Sequence, residues 1–258
     1  MENSTLTYYK VHLPLVDSTN KYIRENANEL WQISNGATAL VVSADAQSAG
    51  RGQMGNVWNS DACKNLLVSI MMRPMFLKVT TQFRLSQISA LAVCATMQRY
   101  GIHAQLKWPN DVYADRKKLA GILVEIDYSG QCIEQAVVGI GLNVNQTEFC
   151  TMERVPVSMK MLTGADYVVG EVQSALLDEM SQLYDMLCSG RHEYIADCYA
   201  SMLMGRDEYM QYADAGGRFA ARIEDVLPDG RLILRRHNNT LSVYAFKEVE
   251  MLFNTRCL

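Results

Sequence analysis

The chain is poor in the residues that build metal sites and disulfide frameworks. Its 258 residues include seven cysteines, at 63, 94, 132, 150, 188, 198 and 257, and four histidines, at 12, 103, 192 and 237. The cysteines are odd in number, scattered and never spaced as C-x-x-C, which fits reduced thiols and argues against a disulfide scaffold or a zinc site. The isolated histidines argue equally against a bound transition metal or a Cys-His nucleophile. A basic block is missing too: 24 Lys and Arg are interspersed with 28 Asp and Glu for a formal charge of −4, so nucleic acid is not an expected partner. No stretch reaches the roughly 18 uninterrupted apolar residues of a membrane span. The N-terminal MENSTLTYYK has neither the charged start nor the apolar core of a leader, and a cytoplasmic location without membrane contact is the expectation.

What is present suffices for a sizeable core, since 49% of the residues are apolar. VHLPLV reads as a strand. In DSTNKYIRENANELW, Asp17 or Ser18 can cap a helix whose Tyr22, Ile23, Ala27 and Leu30 share a face. ATALVVSA and NLLVSIMM are short apolar runs that read as buried strands. Leu85, Ile88, Leu91, Ala92 and Ala95 recur at helical spacing up to a stop at Gly101. AQLKW, PNDVYADRKKLAGILVEID and QAVVGIGLNV are three strand-like segments joined by turn formers. A polar stretch, NQTEFCTMERVPVS, then precedes helical segments from Val172 to Leu187 and from about Glu193 to Met204. After Gly205 short strands alternate with turns about every ten residues, as in a small barrel. The expected organisation is a domain over residues 1–204 and a small β-barrel over 205–258.

The densest chemistry lies in SAGRGQMGNVW, Ser48 to Trp58, whose Gly50, Gly52 and Gly55 match G-x-G-x-x-G. A dinucleotide site needs those glycines to open a helix and a carboxylate some twenty residues on. Turn-forming NVWNSDACKN follows instead, then MMRPMF. What remains is a flexible loop carrying Arg51 between glycines and ending in Trp58, suited to closing over an anion, or else a plain surface hairpin. In KWPND, Pro109 restricts Trp108, so Lys107 leaves a strand end with a fixed direction. Gly121 in KLAGILVE and Gly139 and Gly141 in GIGLNVN thin two strands, for tight packing or for a ligand.

Taken in order, DSTN, Q-S-AGRGQMGNVW, KWPND, KLAGILVE and GIGLNVN resemble the biotin protein ligases, from about Val11 to Asn145 and more loosely beyond. The resemblance implies an α/β (α+β) catalytic domain, a mixed sheet flanked by helices as in class II aminoacyl-tRNA synthetases and biotin synthetases, followed by a Src-homology-3-like barrel. It implies that biotin and ATP, with magnesium, give biotinyl-AMP and pyrophosphate, and that a lysine of a biotin carboxyl carrier protein then takes the biotin. Arg51 and Lys107 would be catalytic. Biotin would meet Ser18, Thr19, Asn20, Gln47, Gly50, Arg51, Gly52, Lys107, Gly121 and Ile122. ATP would meet Arg51, Gln53, Met54, Trp58, Asn110, Lys118 and Asn143, under a lid formed by the polar stretch after Asn145; no metal ligand is assigned. Many relatives carry arginine where this chain has Gln53, and some a basic residue at Asn56, so a looser hold on the adenylate is expected. The sixteen residues before DSTN are too few for a helix-turn-helix domain, hence no repressor function is expected. A lipoate or octanoyl transferase would carry a different glycine-rich segment with a nearby His-Asp, and a catalytically silent biotin-binding module would not need Arg51 and Lys107. Oligomeric state, monomer or homodimer, is left open.

Overall fold

A computed structural model of the chain describes residues 5–52, 56–149 and 155–253. The first strand, β1 (Tyr8–Val16), forms the edge of a seven-stranded sheet and runs parallel to β2 (Ala39–Gln47), with Tyr8 opposite Ala39. Such a parallel pair needs a crossover, and two short helices, α1 (Thr19–Glu25) and α2 (Ala27–Ile33), supply it. The apolar spacing predicts one helix here, but Asn26 interrupts it at φ −104° and turns its side-chain amide back onto the Tyr22 carbonyl, 2.8 Å away. Ile23, Ala27 and Leu30 are nevertheless all buried, against Leu40 and Val42. The tertiary contact is kept although the helix breaks.

All seven residues of β3 (Leu66–Met72) are buried, because helices or loops cover both faces of the sheet at its centre. β4 (Gln105–Lys107), β5 (Asp111–Ala114), β6 (Lys117–Ser129) and β7 (Cys132–Leu142) complete it antiparallel, in the order β1-β2-β3-β7-β6-β5-β4. The segment PNDVYADRKKLAGILVEID thus holds two strands rather than one. They meet at Asp115 and Arg116, both at positive φ (49° and 58°), without the glycine that would have marked the turn.

Helix α3 (Phe83–Arg99) ends as its sequence predicts, with Gly101 at φ 71°. Leu85, Ile88, Leu91 and Ala92 are buried and Ala95 is half-buried. Ile88 is fully enclosed, so Ile88→Ala is expected to lower the unfolding free energy by about 2–5 kcal/mol through lost transfer energy and a residual cavity. An unchanged denaturant midpoint would contradict that packing. A short helix, α4 (Met159–Thr163), which the polar composition does not signal, precedes α5 (Val169–Cys188) and α6 (His192–Ser201). The five described cysteines are free, and burial pushes the Cys94 thiol up to about 12, so it stays protonated.

The second sheet is wholly antiparallel: β8 (Met210–Asp214), β9 (Gly217–Val226), β10 (Leu232–Arg236), β11 (Leu241–Tyr244) and β12 (Val249–Leu252), ordered β11-β10-β9-β8-β12. β12 extends the four strands read from the sequence. An aromatic cluster seats this sheet on the larger unit: the Trp108 ring lies 5.3 Å from that of Phe246, and Phe83 lies 6.0 Å from Phe246 and 5.7 Å from Tyr199. The Trp108 indole N–H also donates to the Gly230 carbonyl at 2.9 Å. Seating it there brings Phe246, Lys247 and Glu250 to the wall of the cavity described next.

Candidate active site

A cavity of about 410 Å³ opens between the end of β2, the glycine loop, the KWPND turn, the glycine-bearing parts of β6 and β7, and the second sheet. Of the residues expected at the site, Ser18, Thr19, Asn20, Gln47, Arg51, Gly52, Trp58, Lys107, Asn110, Lys118, Gly121 and Ile122 all line it. Gly50 lines instead a smaller cavity of about 270 Å³ that shares Gln47, Val57 and Trp58 with the first. Gln53 and Met54 lie outside the described residues, as does part of the expected lid.

The glycine loop is a hairpin, not the start of a helix. Gly52 N–H donates to the Asn56 carbonyl at 2.7 Å and Trp58 N–H to the Gly50 carbonyl at 2.9 Å, with Arg51 bridged to Val57. A Cβ at Gly50 would lie 2.4 Å from the Trp58 carbonyl oxygen, so that position has to be glycine for the hairpin to close. Both readings of the loop therefore meet: it is a hairpin with an exposed arginine, and that arginine lines the cavity.

The strand glycines make room for Trp58. A Cβ on Gly141 would lie 2.4 Å from the indole Cε2, and one on Gly121 would lie 3.1 Å from its Cζ3. These two positions are partners across β6 and β7, so together they form a flat bare patch on which the ring rests. The indole N–H is buried and has no partner among the described residues. Lys118 stands 5.7 Å from the ring centroid and pairs with Asp111 at 2.7 Å.

Lys107 ends β4 with only 5% of its surface exposed, its ammonium 5.8 Å from the centre of the Phe253 ring. The following turn is tied to β6 by two bonds: Asn110 Nδ2 donates to the Ile122 carbonyl at 2.6 Å and Ile122 N–H to the Asn110 carbonyl at 3.0 Å. Lysine direction is thus set by a strand end and a clamped turn. Asn143 is placed differently from the others. Its amide donates to the Val157 carbonyl at 3.0 Å, and its backbone links β7 to Leu119 and Met159, so it fastens the far side of the polar stretch and does not line the cavity.

At the inner end, Ser18 occupies the N-cap position of α1 but makes no capping bond with its side chain. Thr19 N–H and hydroxyl reach Gln47 Oε1 at 2.8 and 3.1 Å. Ser69 Oγ lies 2.8 Å from Thr19 Oγ1 and 2.5 Å from Asn20 Oδ1, and Asn20 Nδ2 donates to Glu125 at 2.8 Å. Ser69, Glu125 and Asp111 were not singled out from the sequence. One signal existed: Ser69 is the lone polar residue in an otherwise apolar buried strand, and such a group needs a partner.

The charges lining the cavity are unbalanced, with Arg51, Lys107, Lys118 and Lys247 against Asp111 and Glu250 among the described residues. An excess of cations in a partly enclosed space favours anionic ligands.

The model of the biotin/lipoate A/B protein ligase family matches residues 13–143. The bifunctional ligase/repressor BirA of Bacillus spizizenii is 27% identical over 251 residues, covering 95% of this chain and 75% of that protein. A biotin–acetyl-CoA-carboxylase ligase of Mycobacterium tuberculosis is 35% identical over 127 residues, 47% of this chain and 46% of its own. Among solved structures, the biotin protein ligase of Aquifex aeolicus in complex with biotin and ATP superposes with a TM-score of 0.77 at 24% identity, covering 94% of this chain and 98% of that one.

Proposed function

The chain belongs to the biotin/lipoate A/B protein ligase family, and from that premise we propose that it activates biotin with ATP and transfers it to a lysine of a biotin carboxyl carrier protein. The observation that carries this reading is the gathering of Arg51 and Lys107 at one cavity whose inner end is a polar floor and whose wall is an indole on bare glycines.

The first step brings a carboxylate onto a phosphate. Two anions repel, and the cost falls where fixed cations stand at their meeting point, worth more in a partly dry cavity than in water. Lys107, nearly buried and held by a strand end, is pre-placed for that role, whereas Arg51 rides on the hairpin and can follow the ligand. In the second step an attacking amine must lose a proton. Two carboxylates line the cavity, Asp111, which is paired with Lys118, and Glu250.

Among the described residues no cluster of three His, Cys, Asp or Glu side chains is placed to hold an ion. Magnesium would enter with the nucleotide, and the protein oxygens that would hold it are those of Asp111 and the Asn110 carbonyl, both hard donors at the cavity wall. When bound it would neutralise phosphate charge and polarise the α-phosphate for attack. We further read residues 1–204 as the unit that does this chemistry and 205–258 as the small β unit that closes one wall.

Mixing the protein with biotin, ATP and magnesium is expected to release pyrophosphate, and adding a carrier domain to give labelled carrier that excess lipoate does not suppress. Biotin binding without pyrophosphate release would favour a silent binding module. Labelling with lipoate in place of biotin would favour the transferase reading.

A further inference from the structure

The network beneath the cavity floor is directional, and its direction is set by a residue outside the cavity. Glu125 on β6 offers only acceptors when ionised, so the Asn20 amide must turn its NH2 toward it and its oxygen toward Ser69. Ser69 has one proton, and the bond to Asn20 Oδ1 uses it. The Ser69 oxygen therefore cannot also donate to Thr19. At the other end, Gln47 Oε1 accepts from the Thr19 backbone N–H, which obliges the Gln47 NH2 to face away from α1. Thr19 is left to donate its proton to Gln47 or Ser69 and to keep an acceptor lone pair. The floor consequently presents a fixed pair: donors on Gln47 and an acceptor on Thr19, with the Ser18 hydroxyl beside them.

The cradle for Asn20 is built from four elements. α1 carries it, β3 supplies Ser69, β6 supplies Glu125, and β7 yields space, since a Cβ on Gly139 would lie 2.2 Å from Asn20 Oδ1. An amide clamped at both ends and along its flank has no freedom to flip.

Resting on the ligase reading above, we propose that Glu125 is a positioning residue that, through Asn20 and Ser69, keeps an open acceptor on Thr19 for a urea N–H of the ligand. The urea oxygen accepts from Gln47 while a urea N–H meets Thr19. A cyclic guanidine presents N–H groups on every side, so one of its donors faces the Gln47 donor. Glu125→Gln removes the lock, because the new amide can show either end to Asn20; Asn20 can then turn over, Ser69 can donate to Thr19, and the open acceptor on Thr19 is lost.

Pyrophosphate release measured with biotin and with 2-iminobiotin tests this. The natural protein is expected to favour biotin strongly. In Glu125→Gln the KM for biotin should rise about tenfold, the effect of one displaced hydrogen bond, and the KM for 2-iminobiotin should rise alike, because Gln47 stays fixed by the Thr19 main chain. The effect should be on KM, not on kcat. Ser69→Ala deletes the competing donor, so by itself it should leave the KM for biotin near the natural value, and in the double variant with Glu125→Gln it should restore it. An unchanged KM for biotin in folded Glu125→Gln, or no recovery in the folded double variant, would overturn the proposal and leave the ligase reading intact. If the natural protein released no pyrophosphate with biotin, the ligase reading would fall, and this inference with it.

Discussion

Lys107→Ala is expected to lower the rate of adenylate formation by about 10²–10³, the range found when one pre-placed electrostatic group is removed from a reacting centre. The reason is geometric. The lysine leaves the end of β4 with 5% of its surface exposed, so its ammonium is held in the cavity wall before any ligand arrives. A group fixed beforehand stabilises charge without reorganising during the step. Lys107→Arg should recover only part of the loss, because a planar fork needs more width than an ammonium in the same enclosed place. The measurement is pyrophosphate release at saturating biotin and ATP, with a thermal melt to show that each variant is folded. A folded Lys107→Ala protein that releases pyrophosphate at the natural rate would remove this residue from the chemistry.

Gly141→Ala should be nearly as damaging although it adds only one methyl group. The new Cβ would stand 2.4 Å from Cε2 of Trp58 and 2.8 Å from Cδ2 and Cζ2, contacts that cannot persist. An indole has no flexible end to swing aside, so the whole ring must rise off the sheet. Trp58 also closes the hairpin through its bond to Gly50, and lifting the ring carries Arg51 with it. We expect about a tenfold or greater fall in kcat/KM for ATP, together with about 1–3 kcal/mol of lost stability from overpacking. Gly170→Ala is the matching control. It lies in the first turn of α5 with nothing within 4 Å of an added Cβ and no positive φ, so the change should be neutral or stabilise by up to ~1 kcal/mol. Equal behaviour of the two variants would show that the Gly121–Gly141 patch does not seat the ring.

The contrast between these glycines shows where sequence reasoning stops. Glycine thinning of β6 and β7 was apparent in KLAGILVE and GIGLNVN, and a close neighbour was the reading. Which neighbour was not, because Trp58 approaches from a loop some sixty to eighty positions away in the chain. Helix α1 makes the same point in reverse. Its apolar spacing is continuous through Asn26, but the backbone breaks there while the buried face survives, since burial constrains where side chains end up more tightly than it constrains hydrogen bonding along the helix.

Motif order, the apolar strands, the Gly101 stop of α3 and the short-strand texture after Gly205 could all be read without coordinates, because each depends on residues within one or two turns of each other. The polarity of the pocket floor could not. Asn20, Ser69 and Glu125 are separated by 49 and 105 positions from Asn20, and nothing local in any of the three segments specifies that their polar atoms meet. The wall formed by Phe246, Lys247 and Glu250 likewise exists only because Trp108 and Phe83 seat the second sheet against the first. Hydrogen-bond direction and charge balance are properties of atoms brought together by folding, and a chain read in one dimension carries the atoms without their distances.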